Sequence, residues 1–94
     1  MYLVQLTLEP PGQAVLPSDV GSMIQNVAPS DLQHITVHTQ ARPHPAVSLF
    51  LCVTTLDEAE VLARHIWDMA QEAFPQLAEW RLLRAEVPLH PFDL

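Results

Sequence analysis

Apolar and polar residues alternate along four segments of the chain, which is the period of a β-strand with one buried face. The alternating segments are residues 2–8, 32–40, 46–54 and 79–87. Proline, glycine and polar residues separate them, as is typical of strand ends. The pattern therefore predicts four β-strands.

Two other segments repeat apolar residues at intervals of three and four, which is the spacing of an amphipathic helix. The first begins after Ser18, a favourable N-cap residue, and ends at Pro29. The second begins at a capping box formed by Thr55 and Glu58 and ends at Pro75. Its apolar stripe consists of Ala59, Leu62, Ala63, Ile66, Met69, Ala70 and Ala73.

The resulting order, β-α-β-β-α-β, predicts an α+β domain of the ferredoxin-like kind. We expect a four-stranded antiparallel sheet with two helices on one face and, by analogy with that fold, the spatial strand order 4-1-3-2. A chain of 94 residues fits a single domain covering residues 1–94. Pro88 and Pro91 are expected to keep residues 88–94 out of regular structure.

The second and third predicted strands are joined by residues 41–45, which have the length and the proline content of a hairpin loop. A simple hairpin over this loop places His38 opposite Ser48 and His34 opposite Cys52. A shift of one residue would move all of these side chains to the other face of the sheet.

The charged residues exclude several classes of function. The net charge is −7, and the four cationic residues are all arginines. Nucleic-acid binding requires a cluster of cations that neutralises phosphates, and four arginines scattered among eleven carboxylates do not form one. Schiff-base chemistry on a lysine is excluded because the chain contains no lysine. The missing lysine also suggests a GC-rich bacterial genome.

Other features of the sequence predict a soluble cytoplasmic protein. Residues 1–5 have no basic region or long apolar stretch, so we expect no signal peptide. The longest apolar run lies near residues 49–53 and is much shorter than the ~20 residues of a membrane span. Cys52 is the single cysteine of the chain, so an internal disulfide is excluded.

The sheet face that the helices leave uncovered has an unusual predicted composition. Half-exposed sheets usually present polar side chains to water, whereas this face includes Leu3, Phe50, Trp80 and Leu82. Covering one side chain of this size contributes ~1.5–3 kcal/mol. We therefore expect these four residues to bind a second copy of the chain, as a homodimer, or another protein. The alternative is that residues 88–94 fold back over this face.

Polar residues on the same face are candidates for lining a cavity between two paired sheets. These residues are His34, His38, Cys52 and Arg84. Four residues along a strand separate His34 from His38 by ~13 Å, so these two side chains do not share one metal ion. Cys52 opposite His34 gives two ligands, fewer than zinc usually takes from a protein. We therefore expect no metal and no cofactor.

No catalytic motif is present in the sequence. Two glycines and no lysine exclude a phosphate-binding loop, and no Gly-x-Ser-x-Gly segment occurs. The sequence favours a non-enzymatic interaction or regulatory module that acts through the uncovered sheet face. An enzyme is the alternative, because the predicted architecture resembles that of small dimeric α+β barrel enzymes. That resemblance implies a cofactor-free oxygenase, isomerase or cyclase acting on an apolar metabolite, and it assigns no catalytic residues here. A metal-carrying protein and a ligand-sensing domain are further alternatives.

Overall fold

The computed structural model describes residues 1–87, which form one four-stranded sheet and two α-helices. The elements are β1 (Tyr2–Glu9), α1 (Val20–Val27), β2 (Leu32–His38), β3 (Ala46–Leu51), α2 (Leu56–Ala73), a 3₁₀ turn (Pro75–Leu77) and β4 (Arg81–Glu86). All neighbouring strands are antiparallel, in the order β2-β3-β1-β4, which reads 4-1-3-2 from the β4 edge. The predicted α+β class, antiparallel sheet and pair of helices are therefore confirmed. The expectations for residues 88–94 lie outside the described residues.

The hydrophobic core lies between the two helices and one face of the sheet. Alternate residues of β1 and β3 supply the sheet side of this core and are fully buried. They are Val4, Leu6, Leu8, Val47, Leu49 and Leu51. The helices contribute Ile24 from α1 and Ile66 and Trp67 from α2, all with no exposed surface. Since both helices pack on this face, the side chains at the intervening strand positions point to the opposite face.

β4 pairs with β1 through an irregular register. Thr7 lies opposite Arg84, but the next residue of β1, Leu8, lies opposite Leu82, so Leu83 is an extra residue of β4. An extra residue of this kind is a β-bulge, and it reverses which face the preceding side chains point to. Leu82 therefore shares the helix-covered face with Leu8.

This register corrects the predicted facing of the fourth strand. Trp80 is 4% exposed and belongs to the hydrophobic core, and Leu82 packs against that core. The prediction that these two residues lie on the uncovered face is therefore wrong. Leu83, which strict alternation places in the core, is half-buried and is not part of it.

The hairpin between β2 and β3 has a longer loop than predicted. His38 pairs with Ala46, Thr36 with Ser48, and His34 with Phe50. The register thus differs by two residues from the predicted one. An even shift leaves each side chain on its predicted face, because side chains alternate with a period of two.

Cys52 is not a partner of His34, contrary to the predicted register. It follows the last residue of β3, and its side chain is exposed. Its backbone N–H donates a hydrogen bond to the carbonyl oxygen of Asp31 over 2.8 Å. This contact holds Cys52 at the end of β3, beyond the paired part of the hairpin.

The capping box predicted at the start of α2 is confirmed. Thr55 Oγ1 accepts a hydrogen bond from the Glu58 N–H at 3.1 Å, and Glu58 Oε1 accepts one from the Thr55 N–H at 3.2 Å. Glu58 Oε1 also accepts from the Thr54 hydroxyl at 2.6 Å and from the Thr54 N–H at 3.2 Å. These hydrogen bonds lower the pKa of Glu58 from its ordinary value. The bond from the Thr54 hydroxyl has the largest effect, and the backbone N–H groups add to it.

Replacing Trp80 and replacing Leu83 are expected to have very different effects on stability. Trp80→Ala leaves a cavity in the core and should lower the free energy of unfolding by about 3–5 kcal/mol. Leu83→Ala lies outside the core and should lower it by about 1 kcal/mol or less. Urea unfolding followed by circular dichroism measures both, and Trp80→Phe replaces the alanine variant if the latter does not fold. A larger loss for Leu83→Ala would show that the register shift is wrong.

The charge of Glu58 should make the start of α2 sensitive to acid. A carboxyl whose pKa is lowered on folding stabilises the protein at pH values above 4.5, the pKa of the group in the unfolded chain. This stabilisation is lost as the pH falls through the lower pKa of the folded state. At pH 7, Glu58→Gln should therefore unfold at a lower urea concentration than the wild type. The difference should shrink steadily below pH 4.5. A difference that is independent of pH would contradict the ionised capping contact.

Candidate functional site

The face of the sheet opposite the helices is the candidate site, and we call it the open face. Pairing of Leu3 with Phe50, Gln5 with Ser48 and Thr7 with Ala46 fixes which residues share this face. The open face consists of Leu3, Gln5, Thr7, Glu9, His34, Thr36, His38, Ala46, Ser48, Phe50, Arg81, Arg84 and Glu86.

The apolar part of the open face is smaller than predicted. Of the four residues expected to bind a partner, Leu3 and Phe50 lie on it, directly opposite each other on the two central strands. Both are half-buried. His34 lies on the other side of Phe50, with ring centroids 5.6 Å apart and planes tilted by 51°. These three side chains form one contiguous patch over β1, β3 and β2.

A depression of about 660 Å³ lies beside this patch, and we call it the groove. Strands β1, β2 and β3 and the start of the loop at residues 39–45 surround it. The residues that line the groove are Leu3, Gln5, Thr36, His38, Thr39, Gln40, Ala41, Ala46, Ser48 and Phe50. None of them is an aspartate, glutamate, lysine or arginine. The loop residues were not predicted to contribute because the predicted β2 extended to residue 40.

Ser48 and His38 form the polar contact inside the groove. Ser48 Oγ lies 3.3 Å from His38 Nε2. Ser48 is 6% exposed and is the one buried polar residue among residues 1–87. Within that part of the chain no carboxylate hydrogen-bonds to His38. A hydroxyl and an imidazole can each donate or accept a hydrogen bond, so this pair can bind a polar group.

The structure separates the four polar residues that were expected to share a cavity. Only His38 lines the groove, while His34 lies beside Phe50. Cys52 lies beyond the end of β3, away from the open-face positions of that strand. Arg84 and Glu86 lie with Gln5 at a second, shallower depression of about 200 Å³ near the β4 edge.

Two further findings concern metals and membranes. Over residues 1–87, no three histidine, cysteine, aspartate or glutamate side chains are placed where they could hold one metal ion. Neither helix in the same range has the length and apolar content needed to cross a bilayer.

Charge is distributed very unevenly between the two sides of the molecule. On β2, β3 and residues 3–7 of β1, the open face carries no aspartate, glutamate, lysine or arginine. Its charges lie toward the β4 edge, where Glu9 at the end of β1 forms a 3.2 Å ion pair with Arg81, and where β4 also carries Arg84 and Glu86. The exposed side of α2, in contrast, carries four exposed carboxylates. These are Asp57, Glu58, Asp68 and Glu72. The net charge of −7 therefore lies mainly away from the open face.

Comparisons of the chain with protein-family models, with curated proteins and with solved structures found no match.

Proposed function

We propose that this chain is an interaction module that pairs with a second copy of itself through the open face. One observation supports this proposal above all others. In a chain of net charge −7, β2, β3 and residues 3–7 of β1 present a surface without carboxylates, with Leu3 and Phe50 side by side on the two central strands. The order 4-1-3-2, read from the β4 edge, leads us to assign the topology to the ferredoxin-like fold.

The charge distribution favours this face over the others for self-association. Two copies of a chain with a charge of −7 repel each other, and the repulsion is largest where carboxylates approach. Contact through α2 would bring Asp57, Asp68 and Glu72 close to their copies. Contact through the open face would bring together Leu3, Phe50 and uncharged polar groups, with two charges of each sign toward the β4 edge.

The size of the open face indicates that the pairing is weak. Four strands of about six residues cover roughly 19 Å by 20 Å, which is roughly 400 Å² in projection. A stable interface usually buries about 800 Å² on each partner. Leu3 and Phe50 are already half-buried, so covering them in both copies contributes roughly 3–6 kcal/mol, whereas association costs ~4–15 kcal/mol. We therefore expect a dimer that forms only at high protein concentration.

A second candidate function, a small enzyme with the architecture of dimeric α+β barrels, is supported by the groove. Its volume of about 660 Å³ lies within the usual ~300–1,000 Å³ of small-molecule sites. The groove does not, however, contain the set of polar residues that an acid–base mechanism would need, because His34, Cys52 and Arg84 lie elsewhere. The groove thus supports ligand binding more directly than it supports catalysis.

Phe50→Asp should abolish self-association and leave the fold intact. The new carboxylate lies at the centre of the proposed contact, where it has no cation to pair with. Val61→Asp is the matched control, since Val61 is 68% exposed on α2 and the substitution adds the same charge. Light scattering at increasing protein concentration should show an increase in mass for the wild type and for Val61→Asp, and a constant monomer mass for Phe50→Asp. Equal masses for the two variants, with unchanged circular dichroism, would refute the proposed interface.

Salt should strengthen self-association. Raising the ionic strength from 0.01 M to 1 M shortens the screening length from about 30 Å to about 3 Å. The repulsion between two acidic chains is then screened, while the contact of Leu3 and Phe50 is not weakened. Sedimentation equilibrium at both salt concentrations measures the dissociation constant. A constant that increases with salt would instead point to an interface held by the charges of Arg84 and Glu86.

A further inference from the structure

The groove is complete within a single copy of the chain. Its residues come from β1, β2, β3 and the loop at residues 39–45, so no second copy is needed to form it. A ligand of this groove therefore goes beyond the proposed pairing and does not depend on it. Ala46 and Ser48 form the most deeply buried part of the groove, at 1% and 6% exposure.

The groove has an apolar side that suits an aromatic ring. Leu3 and Phe50, which lie opposite each other on β1 and β3, supply this side. Phe50 is half-buried, and the centroid of its ring lies 5.6 Å from that of the His34 ring. Aromatic rings pair in offset or edge-to-face arrangements with centroids ~4.5–7 Å apart, so a planar ligand can pack on Phe50 from within the groove.

The row of residues next to Leu3 and Phe50 offers hydrogen-bonding groups, since Gln5, Ser48 and Thr36 lie side by side there. Ser48 Oγ and His38 Nε2 lie 3.3 Å apart, and a hydroxyl has one proton and two lone pairs, so this pair can still bind a ligand oxygen. The side chains of Gln5 and Thr36 also line the groove, and neither forms a side-chain hydrogen bond with another residue of the described range 1–87. As far as residues 1–87 are concerned, these polar groups can accept from or donate to a ligand hydroxyl or carbonyl.

The absence of aspartate, glutamate, lysine and arginine from the lining disfavours charged ligands. An anion would lose water, would find no arginine or lysine, and would approach a chain of net charge −7. A cation would lose water and would find no carboxylate in the lining. An uncharged molecule has neither cost.

We propose that the groove is a binding site for a small, uncharged aromatic molecule that carries a hydroxyl or carbonyl group. The ring packs against Phe50 and Leu3, and the oxygen lies within hydrogen-bonding reach of Ser48 and His38. Two alternatives to this ligand are tested below. In one, a second copy of the chain fills the groove, and in the other, residues 88–94 of the same chain fill it.

Three naphthalene probes of the same size test the charge preference. They are naphthol, which is uncharged at pH 7, naphthoate, which is an anion, and naphthylmethylammonium, which is a cation. We expect naphthol to bind at least about tenfold more tightly than either ion, as measured by calorimetry on the full chain. Amide chemical shifts in the NMR spectrum should change most at Thr36 and Ser48.

Variants locate the probe. Ser48→Trp fills the groove and should abolish naphthol binding, while Gln5→Leu removes a polar group, keeps the volume and should weaken binding by a smaller factor. Val61→Trp is the control on the far side of the molecule and should leave the affinity unchanged. Naphthol binding that survives Ser48→Trp, or that equals the binding of both ions, overturns the proposal, as does no binding at millimolar concentration.

The same samples separate this proposal from the proposed pairing. Light scattering measures self-association, and calorimetry measures binding of the probe. Either proposal can therefore be refuted while the other is supported. A naphthol affinity that falls as the protein concentration rises would mean that a second copy fills the groove. Naphthol binding that is seen only in Phe92→Ala would mean that residues 88–94 occupy it. Both of these outcomes overturn the proposal.

Discussion

The apolar side chains of α1 and α2 pack against alternate residues of the central strands β1 and β3, and this contact determines which side of the sheet meets water. Val4, Leu6 and Leu49 have no exposed surface because the helices cover them. Each intervening residue must then point the other way, since strand side chains alternate. With just two helices, both on one face, a four-stranded sheet has no second layer among residues 1–87 to cover its other face. The open face and its groove are consequences of this one-sided packing.

The parts of the fold that depend on local sequence could be predicted. The capping box of α2 needs only Thr55 and Glu58 three residues apart, and the structure contains it. The facing of β1, β2 and β3 needs only the period of two, so Leu3 and Phe50 were correctly placed. That placement was unaffected by a register error in the hairpin, because the error was an even number of residues.

The parts that depend on pairing between distant strands could not be predicted. Alternation placed Trp80 and Leu82 on the open face, but the extra residue Leu83 reverses their direction relative to Arg84. Nothing within residues 79–87 signals where a bulge against β1 will fall. The loss of Trp80 from the open face matters for function, because it removes the largest apolar side chain expected there. Trp67, by contrast, was missed despite an available signal, as it lies four residues after Ala63 on the buried stripe of α2.

The function proposed here follows from where charge is absent. Exposed carboxylates are concentrated on α2, whereas β2, β3 and residues 3–7 of β1 have none on the open face. Mapping which wild-type amide resonances shift as the protein is concentrated tests this account most directly. The account predicts shifts centred on Leu3 and Phe50 that extend toward Arg84, with α2 unaffected. Shifts confined to α2 would contradict it, and so would a spectrum that does not depend on concentration.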